Sequence, residues 1–155
     1  MRSFLLKISL LTMAVTMQLA AADHFLGTWK LDPAKSKYNP GPGPKSSTAV
    51  YSADGDWISV KTDSVTADGK TTTSSNRYKR DGMDHPWTNA NGTKMMISLK
   101  MTDDHHATAT LKQDGKVVTT TKSTISKDGK TRTMSSSGTN ADGKTFSNVA
   151  VFTRQ

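Results

Sequence analysis

Seven Asp-Gly or Asn-Gly dipeptides punctuate this chain, at Asp54, Asp68, Asp81, Asn91, Asp114, Asp128 and Asp142. Both residue types tolerate the positive φ of a tight hairpin turn. Several of these dipeptides lie fourteen residues apart, which leaves room for one strand and one turn between neighbours. Such spacing excludes long helices. The acids agree: all 13 are aspartate and none is glutamate. Glutamate is a good helix former, whereas aspartate belongs in turns and caps.

The segments between turns read as strands: Phe25 to Leu31, Thr48 to Ala53, Trp57 to Val65, Thr71 to Lys79, His85 to Thr88, Lys94 to Met101, Ala107 to Lys112, Val117 to Ile125, Thr131 to Ser137 and Thr145 to Thr153. The fold class they predict is all-β, a single up-and-down antiparallel β-barrel of about 8–10 strands. A sheet of that length closes or folds over to hide its edges. Period-two alternation sets Met95, Ile97, Leu99 and Met101 on one face of their strand. Ala107, Ala109 and Leu111 share a face of the next, and Phe146, Ala150 and Phe152 a face of the last. Thr71 to Ser75 and Thr131 to Ser137 are polar on both faces. Leu, Ile, Val and Phe make up only roughly an eighth of residues 23–155, so the core is thin. Asp-Gly-Lys recurs at Asp68, Asp114, Asp128 and Asp142 and reads as hairpin turns with a solubilising lysine.

Residues 32–47 break the pattern. They hold all but one of the prolines, with Pro40, Pro42 and Pro44 alternating with glycine. That run forbids helix and ladder pairing and reads as a crossover loop. Asp32 and Pro33 suit the cap and first position of one helical turn.

The N-terminus has three zones: Arg2 and Lys7, an apolar run from Ile8 to Leu19, and Ala20-Ala21-Ala22. This is the layout of a cleavable export signal over residues 1–22, with no membrane anchor, since spanning takes about 20 apolar residues. The expected product is a periplasmic or extracellular domain over residues 23–155. No cysteine is present, which excludes disulfides, thiol catalysis and thiolate metal sites.

Phe25-Leu26-Gly27-Thr28-Trp29-Lys30-Leu31 resembles the Gly-x-Trp signature that opens the first strand of the calycins: lipocalins, fatty-acid-binding proteins and avidins. Asp56 to Thr62 and the ending Val151-Phe152-Thr153-Arg154 look like further strands of the fatty-acid-binding proteins. Residues 23–155 as a whole are similar to small bacterial secreted lipocalin-like proteins, through Gly-Thr-Trp-Lys-Leu, Pro-x-Lys-Ser and Ser-Lys-Asp-Gly-Lys blocks. The resemblance implies structural roles for Gly27 and Trp29, and for Arg154 as the last-strand arginine that packs across that tryptophan. In fatty-acid-binding proteins an arginine of the last strand also binds the ligand carboxylate; the tyrosine two residues on has no counterpart here, nor does the helical lid.

The resulting expectation is a non-enzymatic module holding a small amphipathic or apolar ligand, because a barrel of about eight strands can enclose one. Trp57, Ile97, Leu99, Met101 and Phe146 are the apolar candidates for the cavity, with Arg154 as a further ligand contact. The rival is a structural or interaction protein whose barrel is filled by its own side chains. No catalytic set, cofactor motif or phosphate loop is found. His24, His85, His105 and His106 do not read as a metal site: His105 and His106 are adjacent, and adjacent strand residues point to opposite faces. The formal net charge of +8 is spread without a dense run. Arg77-Tyr78-Lys79-Arg80 comes nearest to a patch and reads as a solvated strand end, so no nucleic-acid partner is expected.

Overall fold

The computed structural model describes residues 23–155; the expected export signal lies outside them. Eleven strands follow in chain order: β1 (Gly27–Leu31), β2 (Lys37–Asn39), β3 (Ser46–Asp54), β4 (Trp57–Val65), β5 (Thr71–Tyr78), β6 (His85–Thr88), β7 (Lys94–Asp103), β8 (His106–Gln113), β9 (Lys116–Ile125), β10 (Thr131–Thr139) and β11 (Thr145–Arg154). All pair antiparallel in one sheet of order β5-β4-β3-β1-β11-β10-β9-β8-β7-β6. β1 joins the first long hairpin to the last strand, and this wraps the meander into a nearly closed barrel.

The crossover loop is more ordered than its prolines suggest. Asp32 caps a 3-10 turn over Pro33–Lys35, its side chain accepting from the Lys35 amide. β2 then pairs with β11 beyond the point where β1 leaves it. Ser36 bridges the interruption: its hydroxyl donates to the Asp32 carbonyl at 2.7 Å and accepts the Val151 amide at 2.9 Å. β1 and β2 therefore act as one edge broken at Pro33, whose missing N–H could not continue the ladder.

The turn dipeptides serve four geometries. At Asp54-Gly55 the aspartate is itself the last strand residue, paired with Trp57, and the two-residue turn is Gly55-Asp56. At Asp114-Gly115 both residues have positive φ, 49° and 75°, and link Gln113 to Lys116 directly, as a two-residue hairpin turn requires. At Asp68, Asp128 and Asp142 the loop is longer. There the glycine amide donates to the carbonyl three residues back, at 2.8–3.0 Å. Asp81-Gly82 is no hairpin tip; it lies between β5 and β6, where the Gly82 amide donates to the Leu99 carbonyl at 3.0 Å.

In two of the longer loops the aspartate organises the turn; in the third the Asn140 side-chain oxygen does so, accepting from the Asp142 and Lys144 amides. Asp68 accepts from the Thr66 hydroxyl and the Lys70 amide; Asp128 accepts from the Ser126 hydroxyl at 2.6 Å and the Lys130 amide at 3.0 Å. These hydrogen bonds hold both carboxyls below the ordinary value of 3.8. The unfolded chain then binds more protons than the folded one in acid, so their contribution is present above pH 3.8 and is lost as pH falls through the depressed values. We expect the thermal midpoint, followed by far-UV circular dichroism, to fall as pH drops below 3.8. Asp68→Asn with Asp128→Asn should flatten that fall; an unchanged acid limb would refute the assignment.

One seam lacks a backbone ladder. β5 and β6 end the sheet order and are neighbours without strand pairing. Asn76 fills the gap with its side chain: its amide nitrogen donates to the Thr88 carbonyl and its amide oxygen accepts the Thr88 N–H, both at 2.8 Å. A side-chain amide here does the work of a strand residue. Asn76→Ala leaves both Thr88 groups without that partner, at a cost of about 1 kcal/mol. The Thr88 amide should then exchange with deuterium faster than its neighbours. Exchange unchanged from the parent protein would show that the seam does not depend on this side chain.

The core gathers at one end. Phe25, Trp29, Ile58, Val60, Tyr78, Ile97, Leu99, Ala107 and Ile125 form one buried cluster. The inward positions nearer the other end are Ser47, Ser64, Thr72, Ser74 and Thr119, so the interior grades from apolar to hydroxyl-lined.

Candidate functional site

Arg154 seals the apolar end. Trp29 is fully buried, at 0% exposure, and its indole N–H donates to the Phe25 carbonyl at 3.3 Å. The Arg154 guanidinium stacks over that ring with its carbon 4.4 Å from the centroid. It donates to three backbone carbonyls: Gly129 at 2.8 Å, Leu26 at 2.6 Å and His24. Gly27 has φ +106°, and a Cβ there would lie 2.7 Å from Arg154 Nη1. A glycine is needed on both counts. With its donors committed to main chain, Arg154 ties the N-terminal segment to the β9–β10 turn.

Above this seal lies a cavity of about 170 Å³. β3 and β5 contribute Tyr51 and Tyr78, β4 Val60 and Thr62, and β6 Trp87. Ile97 and Leu99 come from β7, Ala109 and Leu111 from β8, Thr121 from β9, and Arg132 and Met134 from β10. A further space of about 220 Å³ follows toward the hydroxyl-lined end, bounded by Asn89, Gln113, Asn140 and Phe146 among others. Three larger hollows lie elsewhere: open furrows along β3–β5 around Val50 and Lys61 and beside Asp103 to Lys127, and a space of about 360 Å³ around Asp23, Arg80 and Met101.

Arg132 gives the cavity its chemistry. Its residue is only 4% exposed. Nε donates to the Ser123 hydroxyl at 2.8 Å. The guanidinium carbon lies 4.6 Å from the Tyr51 ring centroid and 5.4 Å from that of Phe25. Nη1 is buried without a hydrogen-bond partner, and no carboxylate among the described residues pairs with this side chain. Burying a charge without a counter-charge is costly. Tyr78 beside it is a neutral phenol, because burial, with Tyr51 adding to it, pushes its pKa above the ordinary 10.0.

The expected site residues separate in space. Ile97 and Leu99 line the cavity. Met101 packs against the same cluster lower down, near Asp23 and Arg80. Phe146 borders the space toward the other end. Trp57 stands on the opposite face of β4 from Ile58 and Val60, where the Arg77 guanidinium and the Lys79 ammonium lie 4.6 and 5.0 Å from its ring. Arg154 lies below the cavity. The Arg77-to-Arg80 run is likewise divided: Tyr78 faces inward, while Arg80 pairs with Asp23.

The sequence alone does not single out Arg132, Tyr51, Tyr78, Trp87 or Met134 as lining the cavity. One signal was available: Arg132 and Met134 are two apart, so they share a face within an otherwise hydroxyl-rich strand.

The shape and strand order find counterparts among solved structures. A Schistosoma mansoni fatty-acid-binding protein in complex with arachidonic acid superposes with a TM-score of 0.59 at 18% identity, covering 85% of this chain and 96% of its own. The zebrafish ileal bile-acid-binding protein complexed with cholic acid gives 0.55 at 14% identity, covering 85% and 99%. This chain has a calycin fold. As-p18, an extracellular fatty-acid-binding protein, agrees, with a TM-score of 0.53, 18% identity and coverage of 86% and 97%. At these identities the likeness concerns the calycin barrel alone. No protein-family model matches the sequence, and neither does any curated protein.

Proposed function

We propose that this protein is an exported, non-enzymatic calycin that carries a small amphipathic or apolar molecule inside its barrel. One observation carries the reading: an apolar cavity with a single buried, unpaired cation on its wall. An apolar wall with one fixed charge is the complement of an amphipathic molecule. Structures of similar shape hold arachidonic acid and cholic acid, which supports an interior site. The three-zone N-terminus supports export, and the sequence blocks support a kinship with bacterial secreted proteins. A barrel filled by its own side chains is the weaker reading, since it would leave no reason to bury Arg132 against a space.

Native mass spectrometry of protein purified from its own host tests both parts. Expected are the loss of about the first 22 residues, as the small-residue cleavage rule implies, and a retained mass that denaturation releases. In solution, binding should change the emission of Trp87, the tryptophan that lines the cavity, and Trp87→Phe should abolish that change. A full-length intracellular product would refute export. Failure of every apolar and amphipathic probe to bind would refute the carrier.

A further inference from the structure

We infer that the interior ligand is a ring-sized monocarboxylate, seated with its carboxylate on Arg132 and its ring against Ile97, Leu99, Leu111 and Trp87. The inference rests on the carrier reading and narrows it to a chemical class.

Size sets the first limit. A dry apolar cavity of about 150 Å³ takes one benzene, and this one measures about 170 Å³. A long-chain acid has about twice the heavy atoms of a benzoate-type acid and would have to run on into the amide-rimmed space beyond, which shares none of the lining residues of this cavity. Charge sets the second. Arg132 is buried, its Nε is taken by Ser123, and its Nη1 has no partner. Asp23, the one acid that like Arg132 acts on Tyr78, is already engaged with Arg80. A guanidinium presents a planar fork that matches a carboxylate. One carboxylate neutralises one guanidinium, whereas a doubly charged phosphate leaves surplus charge in an apolar space. Shape is the third limit. Trp87, Tyr78 and Tyr51 present aromatic surfaces around the cavity, and aromatic rings pack well against one another offset or edge-on.

Arg132 differs in place and role from Arg154, the arginine that the last-strand resemblance points to. Arg154 has all its nitrogens on backbone carbonyls. Arg132 has donor capacity to spare.

Titration calorimetry with the protein tests the class. The probes are benzoate and hydrocinnamate, the neutral benzyl alcohol, and palmitate. The ring acids should bind, with benzyl alcohol weaker by about tenfold or more for want of the charge-assisted hydrogen bonds. Arg132→Met should lose about the same factor for the acids and nothing for the alcohol. Arg132→Lys should recover only part, since an ammonium lacks the fork. Should Arg132→Met fail to fold, the acid-to-alcohol ratio in the parent protein decides alone. Tight palmitate binding with no ring-acid binding would overturn the size class and leave the carrier reading standing. Equal binding of benzoate and benzyl alcohol would overturn the role of Arg132. Silence from all the probes would overturn both readings.

Discussion

Replacing Arg154 by alanine should cost about 3 kcal/mol of stability, because three part-buried carbonyls lose their charged donor at once. The carbonyls of His24, Leu26 and Gly129 all accept from this one guanidinium, and bonds to a charged donor are about twice as strong as neutral ones. The same change uncovers Trp29, which has no exposed surface while the guanidinium lies over it. A small domain holds a net stability of about 5–15 kcal/mol, and this one has a thin core. Urea denaturation should show the midpoint lowered, and tryptophan emission shifted to the red as water reaches Trp29. Arg154→Lys should restore part of the loss, because an ammonium reaches some of these carbonyls but not all. Gly27→Ala should reproduce part of it, since the added Cβ meets Arg154 Nη1 and the positive φ strains any side chain. A change within about 0.5 kcal/mol, the range of ordinary surface substitutions, would mean that the seal is not held by Arg154.

The barrel was legible where a local rule set each step. Turn glycines mark the strand ends because their positive φ is demanded by local geometry. β7 announces its inner face because Met95, Ile97, Leu99 and Met101 all point to the interior and all are apolar. The same reading fails for β10, whose inward residues are Arg132, Met134, Ser136 and Gly138 by their pairing with β11. Hydroxyls suit both the inside and the outside of this barrel, so alternation carries no contrast there. β2 was illegible for another reason: three residues between prolines have no pattern of their own, and they become a strand only because β11 offers a free edge.

The cavity was less legible than the barrel because it is assembled across distant strands. Tyr51, Tyr78 and Arg132 come together only once the sheet has closed, and no local spacing relates them. Trp57 shows the hazard of choosing by residue type. Its size and apolar character suggest an interior place, yet Ile58 and Val60 set the inward parity of β4 and put Trp57 on the other face. There Arg77 and Lys79 cover its ring, a favourable arrangement at a surface. Arg132 shows the converse. An arginine between threonines reads as solvated, and only the burial of its strand reveals that its charge faces inward.

That buried charge leads to an inverse expectation for stability. In the absence of ligand, Arg132→Met should stabilise the fold by about 2 kcal/mol, as replacement of buried charges by apolar residues of similar size often does. The parent protein keeps an unpaired guanidinium at 4% exposure. Stacking on Tyr51 and Phe25 and the bond to Ser123 return part of the desolvation cost. Methionine follows a similar path with a flexible, apolar chain, and its one debit is the Ser123 hydroxyl left without this donor. Urea midpoints of the two proteins should therefore rank the variant above the parent. Saturating ring carboxylate should reverse the order, because a ligand that binds only the folded parent raises its stability in proportion to the logarithm of ligand over Kd, and the variant gains little. A residue kept at the expense of stability is one kept for binding. If Arg132→Met is less stable than the parent by more than about 1 kcal/mol, the guanidinium is a net structural element through its aromatic and hydroxyl contacts, and the argument for a waiting anion site falls with it.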